Sequence, residues 1–287
     1  MTTTKGSTFA ATLRTTILLA TLSGLLVVIG FVIGGGQMAL LFLGIAVAIN
    51  FTSYFFSDKL AIKMSGAQPM EESENAAYFQ MVRELCQRAE IPMPRLYVIP
   101  QDQPNAFATG RNYNNSAVAV TAGITRLLSE DELRGVVAHE LAHIKHRDIL
   151  IQSVAASIGA AITYLGYMLM WFGSDSNSPL GLVGSLAMII LAPLAATIIQ
   201  FAVSRQREYA ADAGGAAICG NPESLASALL RLEKGAEEIP MTGHVNEASE
   251  PLYIVKPFKG SGLKSMFSTH PPIEERVKRL RQMRPSL

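Results

Sequence analysis

Two long uncharged apolar runs open the chain, Thr15 to about Ile33 and Met38 to Phe56. At about 1.5 Å per residue, each is long enough as a helix to cross the roughly 30 Å hydrocarbon layer of a bilayer. Segments in that layer must satisfy their own backbone hydrogen bonds, which restricts the chain to helices there. Gly34-Gly35-Gly36-Gln37 separates the runs, and Asp58, Lys59 and Lys63 close the second. Lys5 and Arg14 would suit the basic end of a signal peptide. Against that, the first run is long for such a segment, no A-x-A site follows, and a second span comes at once. The pair therefore reads as a retained helical hairpin. Gly30-x-x-x-Gly34 matches a helix-packing pattern, but glycine is common in such helices and the plain reading is preferred.

Two further apolar runs follow, Ile149 to Phe172 and Leu180 to Val203, the latter containing Pro193. The links at 34–37 and 173–179 contain no Lys or Arg, whereas Lys5, Arg14, Lys59, Lys63, Lys145, Arg147, Arg205 and Arg207 flank the other ends. The positive-inside rule then places the N-terminus, residues 57–148 and everything after 204 in the cytoplasm. The expected architecture is a mainly α membrane protein with four transmembrane helices and a cytoplasmic α+β domain. Its divisions are an N-terminal transmembrane hairpin over 1–57, a cytoplasmic part over 58–148, a second transmembrane hairpin over 149–203, and a second cytoplasmic part over 204–287. Composition agrees: 49% of the 287 residues are hydrophobic and 16% charged, against about a quarter charged in soluble domains. A net charge of +1 gives no sign of a nucleic-acid partner. Cys86 and Cys219 lack C-x-x-C spacing and read as buried, reduced thiols.

Between the hairpins, Glu71 to Glu90 carries Tyr78, Val82, Leu85 and Ala89 at helical spacing, and Ile91-Pro92-Met93-Pro94 ends it. Arg95 to Ile99 reads as a strand. Asn105–Thr109 and Ser116–Thr121 read as a β-hairpin around Arg111 to Asn115. After the last apolar run, Asn221-Pro222 opens a helix running to about Glu233. Residues 236–264 read as a mobile loop, and Pro271 to Met283 as a short basic helix.

The chemistry lies in Ser129 to Asp148. Ser129 and Glu132 form an S-x-x-E capping box, with Glu130 and Asp131 in the first turn where the helix dipole favours anions. On that helix, His139-Glu140-Leu141-Ala142-His143 puts two imidazoles on one face, with Glu140 one step round. A catalytic metal site normally has a third protein ligand. His146 shares the face but stands about 10 Å along the axis from His139, too far to converge, and reads instead as part of a basic interface cluster with Lys145 and Arg147. The first strong candidate is Glu208 in Glu208-Tyr209-Ala210-Ala211-Asp212, because two antiparallel spans return the chain to the side it left. An interface ion pair with Arg205 or Arg207 is the alternative for Glu208. Asp212, four residues on, is placed to accept the second N–H of a ligand histidine.

H-E-x-x-H followed, after a membrane hairpin, by E-x-x-A-D resembles the gluzincin-type M48 metalloproteases, and within them the bacterial heat-shock membrane proteases. The resemblance covers nearly the whole chain, including Asn105-Ala106-Phe107-Ala108-Thr109-Gly110 and Ser268-Thr269-His270-Pro271. It implies a gluzincin-type catalytic domain binding one zinc ion per chain through His139, His143 and Glu208, with Glu140 as catalytic base. It also implies an endopeptidase of the bacterial inner membrane, multi-pass and with its site facing the cytoplasm. Its partners would be the lipid bilayer, misfolded or damaged membrane proteins and other polypeptides as substrates, and quality-control proteases. His270, with Arg205 behind it, is the candidate oxyanion stabiliser, with helix capping as the alternative; His244 reads as solvated. The strand from Asn105 to Gly110 either offers its edge to an extended substrate or is an internal hairpin strand. An intramembrane protease is disfavoured by Glu130, Asp131, Glu132, Arg134 and Lys145 around the motif, each costing roughly 2.5–3.5 kcal/mol to bury in lipid. A transporter would carry ionisable groups deep in its spans, and these runs carry almost none. An inactive zinc-binding membrane scaffold is the remaining alternative.

Overall fold

The computed structural model describes residues 3–155, 158, 205–241, 252–256 and 271–283. Helix α1, Thr3–Met64, is broken at Gly34 and at Gly35, whose φ of +66° lies in the left-handed region that favours glycine. The two arms fold back on each other. Asn50 Nδ2 donates to Ser23 Oγ at 2.7 Å and to the Leu19 carbonyl at 3.4 Å. A Cβ on Gly30 would lie 2.7 Å from the Met38 carbonyl and 2.9 Å from Phe42 Cβ, and one on Gly34 would collide with the Met38 side chain. Here the structure corrects the plain reading for Gly30, which sits at the close approach of the arms, whereas Gly34 lies at the break itself. The second arm, Gly34–Met64, is long and apolar enough to cross a membrane. Val28, Phe31, Leu40, Leu41, Val47 and Phe51 are exposed on the hairpin, an apolar surface uncommon on a soluble monomer. The hairpin also packs on the start of the third apolar run, since Leu26 and Ala46 share a cluster with Ile151, Val154, Ala155 and Ile158. The remainder of the second expected hairpin, including the run from Leu180 to Val203, falls outside the described residues, as do His244 and His270.

The strands are β1 (Gln68–Pro69), β2 (Arg95–Ile99), β3 (Ala106–Asn112) and β4 (Asn115–Thr121). They form one sheet in the order β1-β2-β4-β3, with β2 parallel to β4 and the other pairs antiparallel. The expected hairpin is present with longer strands and a tighter turn. Asn112 Oδ1 accepts from the Asn115 backbone N–H at 3.0 Å and its Nδ2 at 2.9 Å, letting pairing continue past Gly110. Helix α2 (Ala76–Ala89) is shorter than the Glu71–Glu90 expectation, and buries Val82, Leu85 and Ala89 as its spacing requires. Cys86 on α2 is buried, which pushes its thiol up to about 11, whereas Cys219 is only half-buried.

Short helix α3 (Ala122–Leu127) leads into α4 (Glu130–His146), which carries the H-E-x-x-H sequence through the centre of the core. Its capping box is complete: Ser129 N–H donates to Glu132 Oε2 at 2.8 Å, and Glu132 N–H to Ser129 Oγ at 3.3 Å. Arg147, with φ of +61°, ends the helix, and residues 149–155 are helical again. Helices α5 (Arg205–Cys219) and α6 (Pro222–Glu238) pack on α4 and on each other, and α7 (Ile273–Arg281) packs on α5 and α6. Asn221 caps α6 by accepting from Glu223 N–H at 3.1 Å, and the helix runs past the expected end at Glu233. Two parts of the expected mobile loop are ordered: its first residues belong to α6, and Leu252 to Val255 are buried against the sheet.

Candidate metal centre

Close contact between α4 and α5 builds the site. A Cβ on Gly215 would lie 2.8 Å from both the backbone nitrogen and the Cα of His139, so only glycine lets α5 approach this near. One turn apart on α4, His139 and His143 turn their Nε2 atoms toward Glu208 of α5. His139 Nε2 is 3.9 Å from Glu208 Oε2, and His143 Nε2 is 3.4 Å from Glu208 Oε1. One ligand atom from each of the three residues lies within 4.8 Å of the others, and all three residues are buried. The opposite ring nitrogens face carboxylates: His139 Nδ1 is 3.0 Å from Asp212 Oδ1, and His143 Nδ1 is 3.5 Å from Asp148 Oδ2. With a metal bound, a carboxylate behind each Nδ1 would favour the tautomer that carries its proton there and turns the Nε2 lone pair inward. Two imidazoles and a carboxylate so arranged fit a divalent metal with a position left for a reactant.

The electrostatics are those of a strongly acidic pocket. Burial alone would lower His143, but Glu208, Asp148 and Glu140 outweigh it and push its pKa up to about 9. These carboxylates draw positive charge into the site. Burial depresses His139 to about 4, with Asp212 only partly opposing it. Burial also raises Glu140 to about 7, with His143 lowering and Glu208 raising it. Asp212 is driven down to about 2 although burial acts the other way, because Arg276 lies against it.

The structure therefore gathers His139, Glu140, His143, Glu208 and Asp212 in one place. It sets His146 apart, half-buried with its Cε1 against α5 at Gly214. Neither expected arginine pairs with Glu208: Arg207 Nε lies 3.6 Å from Asp148 Oδ1, and Arg205 is exposed. Two residues were not anticipated. Asp148 follows the motif helix directly, its N–H donating to the His143 carbonyl at 3.0 Å. Arg276 on α7 is fully buried and grips Asp212 through Nε at 2.9 Å and Nη2 at 2.7 Å, with Nη2 also 3.9 Å from Glu208 Oε2. A sequence signal for Arg276 existed: it lies on the helical face marked by Ile273, Val277 and Leu280, where a charge needs a partner.

A helix-borne H-E-x-x-H joined by a downstream glutamate defines a metal-dependent peptide hydrolase. Residues 72–284 match the model of peptidase family M48, and the chain belongs to that family; it is a metalloprotease. Similar sequences include the protease HtpX homologs of Syntrophotalea carbinolica, 51% identical over 281 residues covering 95% of this chain and 98% of that one. The counterpart from Persephonella marina is 51% identical over 279 residues, covering 95% and 97%. The crystal structure of S. mikatae Ste24p aligns over 96% of this chain and 67% of that chain, with 18% identity and a TM-score of 0.49.

Proposed function

We propose that the chain is a zinc-dependent endopeptidase of the bacterial inner membrane that hydrolyses peptide bonds of misfolded or damaged membrane proteins from the cytoplasmic side. The observation that carries this reading is the inward turn of both Nε2 atoms onto Glu208, with Glu140 buried beside them. Zinc, when bound by His139, His143 and Glu208, supplies Lewis-acid chemistry that polarises a carbonyl and acidifies water. Glu140, buried beside the two histidines, takes the proton of the attacking water and passes it to the leaving amine nitrogen. Asp212 and Asp148 keep the imidazoles in one tautomer and orientation. Arg276 fixes Asp212 and brings a positive charge near Glu208. Membrane residence is supported by the exposed apolar arms of α1, and the cytoplasmic site by the Lys and Arg that flank the apolar runs. Association with other quality-control proteases is part of the same proposal.

The test is metal analysis of the detergent-purified protein beside a cleavage assay. Glu140→Gln is expected to keep its zinc while cleavage falls by about 10²–10⁴-fold. Glu208→Ala is expected to lose zinc. Normal proteolysis by a zinc-replete Glu140→Gln protein overturns the assignment of Glu140.

A further inference from the structure

Strand β3 closes one side of the sheet, so the main-chain groups it turns away from β4 need other partners. The Gly110 N–H goes to Ser153 Oγ at 3.4 Å. The Ala106 carbonyl accepts the N–H of Ile254 at 3.0 Å, from a segment far along the chain. Asn105 then grips the next residue from both sides. Its Nδ2 donates to the Val255 carbonyl at 2.9 Å, and its Oδ1 accepts the Val255 N–H at 3.3 Å. Arg276 Nη1 donates to the Ile254 carbonyl at 3.4 Å, while Nη2 of the same guanidinium reaches toward Glu208. With Ile254 bonded to Ala106 and Val255 to Asn105, the segment runs antiparallel to β3. Every one of these polar contacts is to main chain, as in recognition of an extended peptide added to a sheet edge.

We propose that residues 252–256 form an internal strap that occupies the peptide-binding edge beside the metal centre, and that an extended substrate segment binds by displacing it. This rests on the peptidase reading above. In main-chain pairing the strap has less than a strand: among the described residues a single backbone–backbone hydrogen bond ties it to β3, whereas β3 and β4 pair from Ala106 to Asn112. Its apolar anchors are Leu252, Tyr253, Ile254 and Val255, all buried, with the Tyr253 ring edge-on to Phe107 at 5.3 Å. An incoming peptide that reproduces the Ala106, Asn105 and Arg276 contacts and continues toward Ala108 gains more ladder than the strap makes. The occupied state lowers apparent substrate affinity by the fraction of time the edge is open. Folded proteins, which offer no free extended segment, are thereby excluded.

The test uses the full-length zinc-loaded Glu140→Gln protein in detergent, with β-casein as an unstructured polypeptide. Hydrogen exchange at Ile254 and Val255 is expected to accelerate about tenfold when casein is bound, while β4 stays protected. Unchanged or greater protection in a casein complex overturns the strap. Independently, Ile254→Pro removes the N–H given to Ala106 and is expected to tighten casein binding about tenfold. Equal or weaker binding by a variant that melts like its parent counts equally against the proposal, and if the variant does not fold the exchange result decides. Cleavage of casein by the wild type, with the strap amides still protected in the complex, removes the strap and leaves the peptidase reading standing. Absence of both binding and cleavage removes the two together.

Discussion

Asp212 has two tasks, one toward His139 and one toward Arg276, and the second makes the first possible. A buried carboxylate beside Glu208 would be costly alone, but the two-pronged guanidinium contact holds it ionised and fixes its orientation. Arg276→Ala leaves that carboxylate buried and uncompensated, so folding stability is expected to fall by about 3–5 kcal/mol. Zinc affinity is expected to drop about 10–100-fold as His139 loses its fixed partner. Thermal melting and competition with a chromogenic chelator read the two effects separately. Glu132 offers a pH test away from the metal. Its partial burial acts upward, but hydrogen bonds from Ser129, Ser227 and Arg231 outweigh it and hold its pKa below the usual carboxylate range. A folded-state pKa that is depressed contributes stability above the unfolded value of about 4.3, and the contribution is lost as pH falls through the folded value. Glu132→Gln is therefore expected to cost about 1 kcal/mol at pH 7, with the difference from wild type closing below about pH 4 in denaturant titrations.

Between elements, the decisive feature is the crossing of α4 and α5 at Gly215. A methyl group there meets backbone, which cannot swing aside as a side chain can. Gly215→Ala is expected to destabilise by about 1–3 kcal/mol and to weaken zinc binding by moving Glu208 outward from the histidines, measured by melting and metal titration. This crossing also marks where sequence reading stops. Helix α4 was legible because its capping box and i, i+4 histidines are local, and Glu208 because an acid on a helical stretch following two expected apolar spans stood out as a third ligand. Asp212 followed from the four-residue step on the same helix face. Arg276 was harder, since a charge on a short basic helix looks solvated until its buried apolar neighbours are taken into account. The strap was not legible at all: residues 252–256 have no period of their own and are placed by Asn105, Arg276 and Phe107 from distant stretches. Gly30 falls between these cases, because composition cannot separate a glycine at a packing contact from one that is simply frequent.

For the molecule as a whole, the metal bears on stability as well as chemistry. Buried acidic residues converge on the site, so its ion is expected to stabilise the fold by about 4 kcal/mol when free zinc is a thousandfold above its dissociation constant. Chelation should lower the melting temperature, and added zinc should restore it in a concentration-dependent way; a melting curve indifferent to zinc rules that coupling out. The parts of the centre also come from separated stretches of chain, with His139, Glu140 and His143 first, Glu208 and Asp212 later, and Arg276 last of all. A ribosome delivers them in that order. Until Arg276 emerges, Glu208 and Asp212 lack their counter-charge and His139 its fixed orientation. The centre is complete only once α7 has been made, and a chain truncated before Ile273 is expected to bind zinc more weakly than the full chain, as metal titration would show.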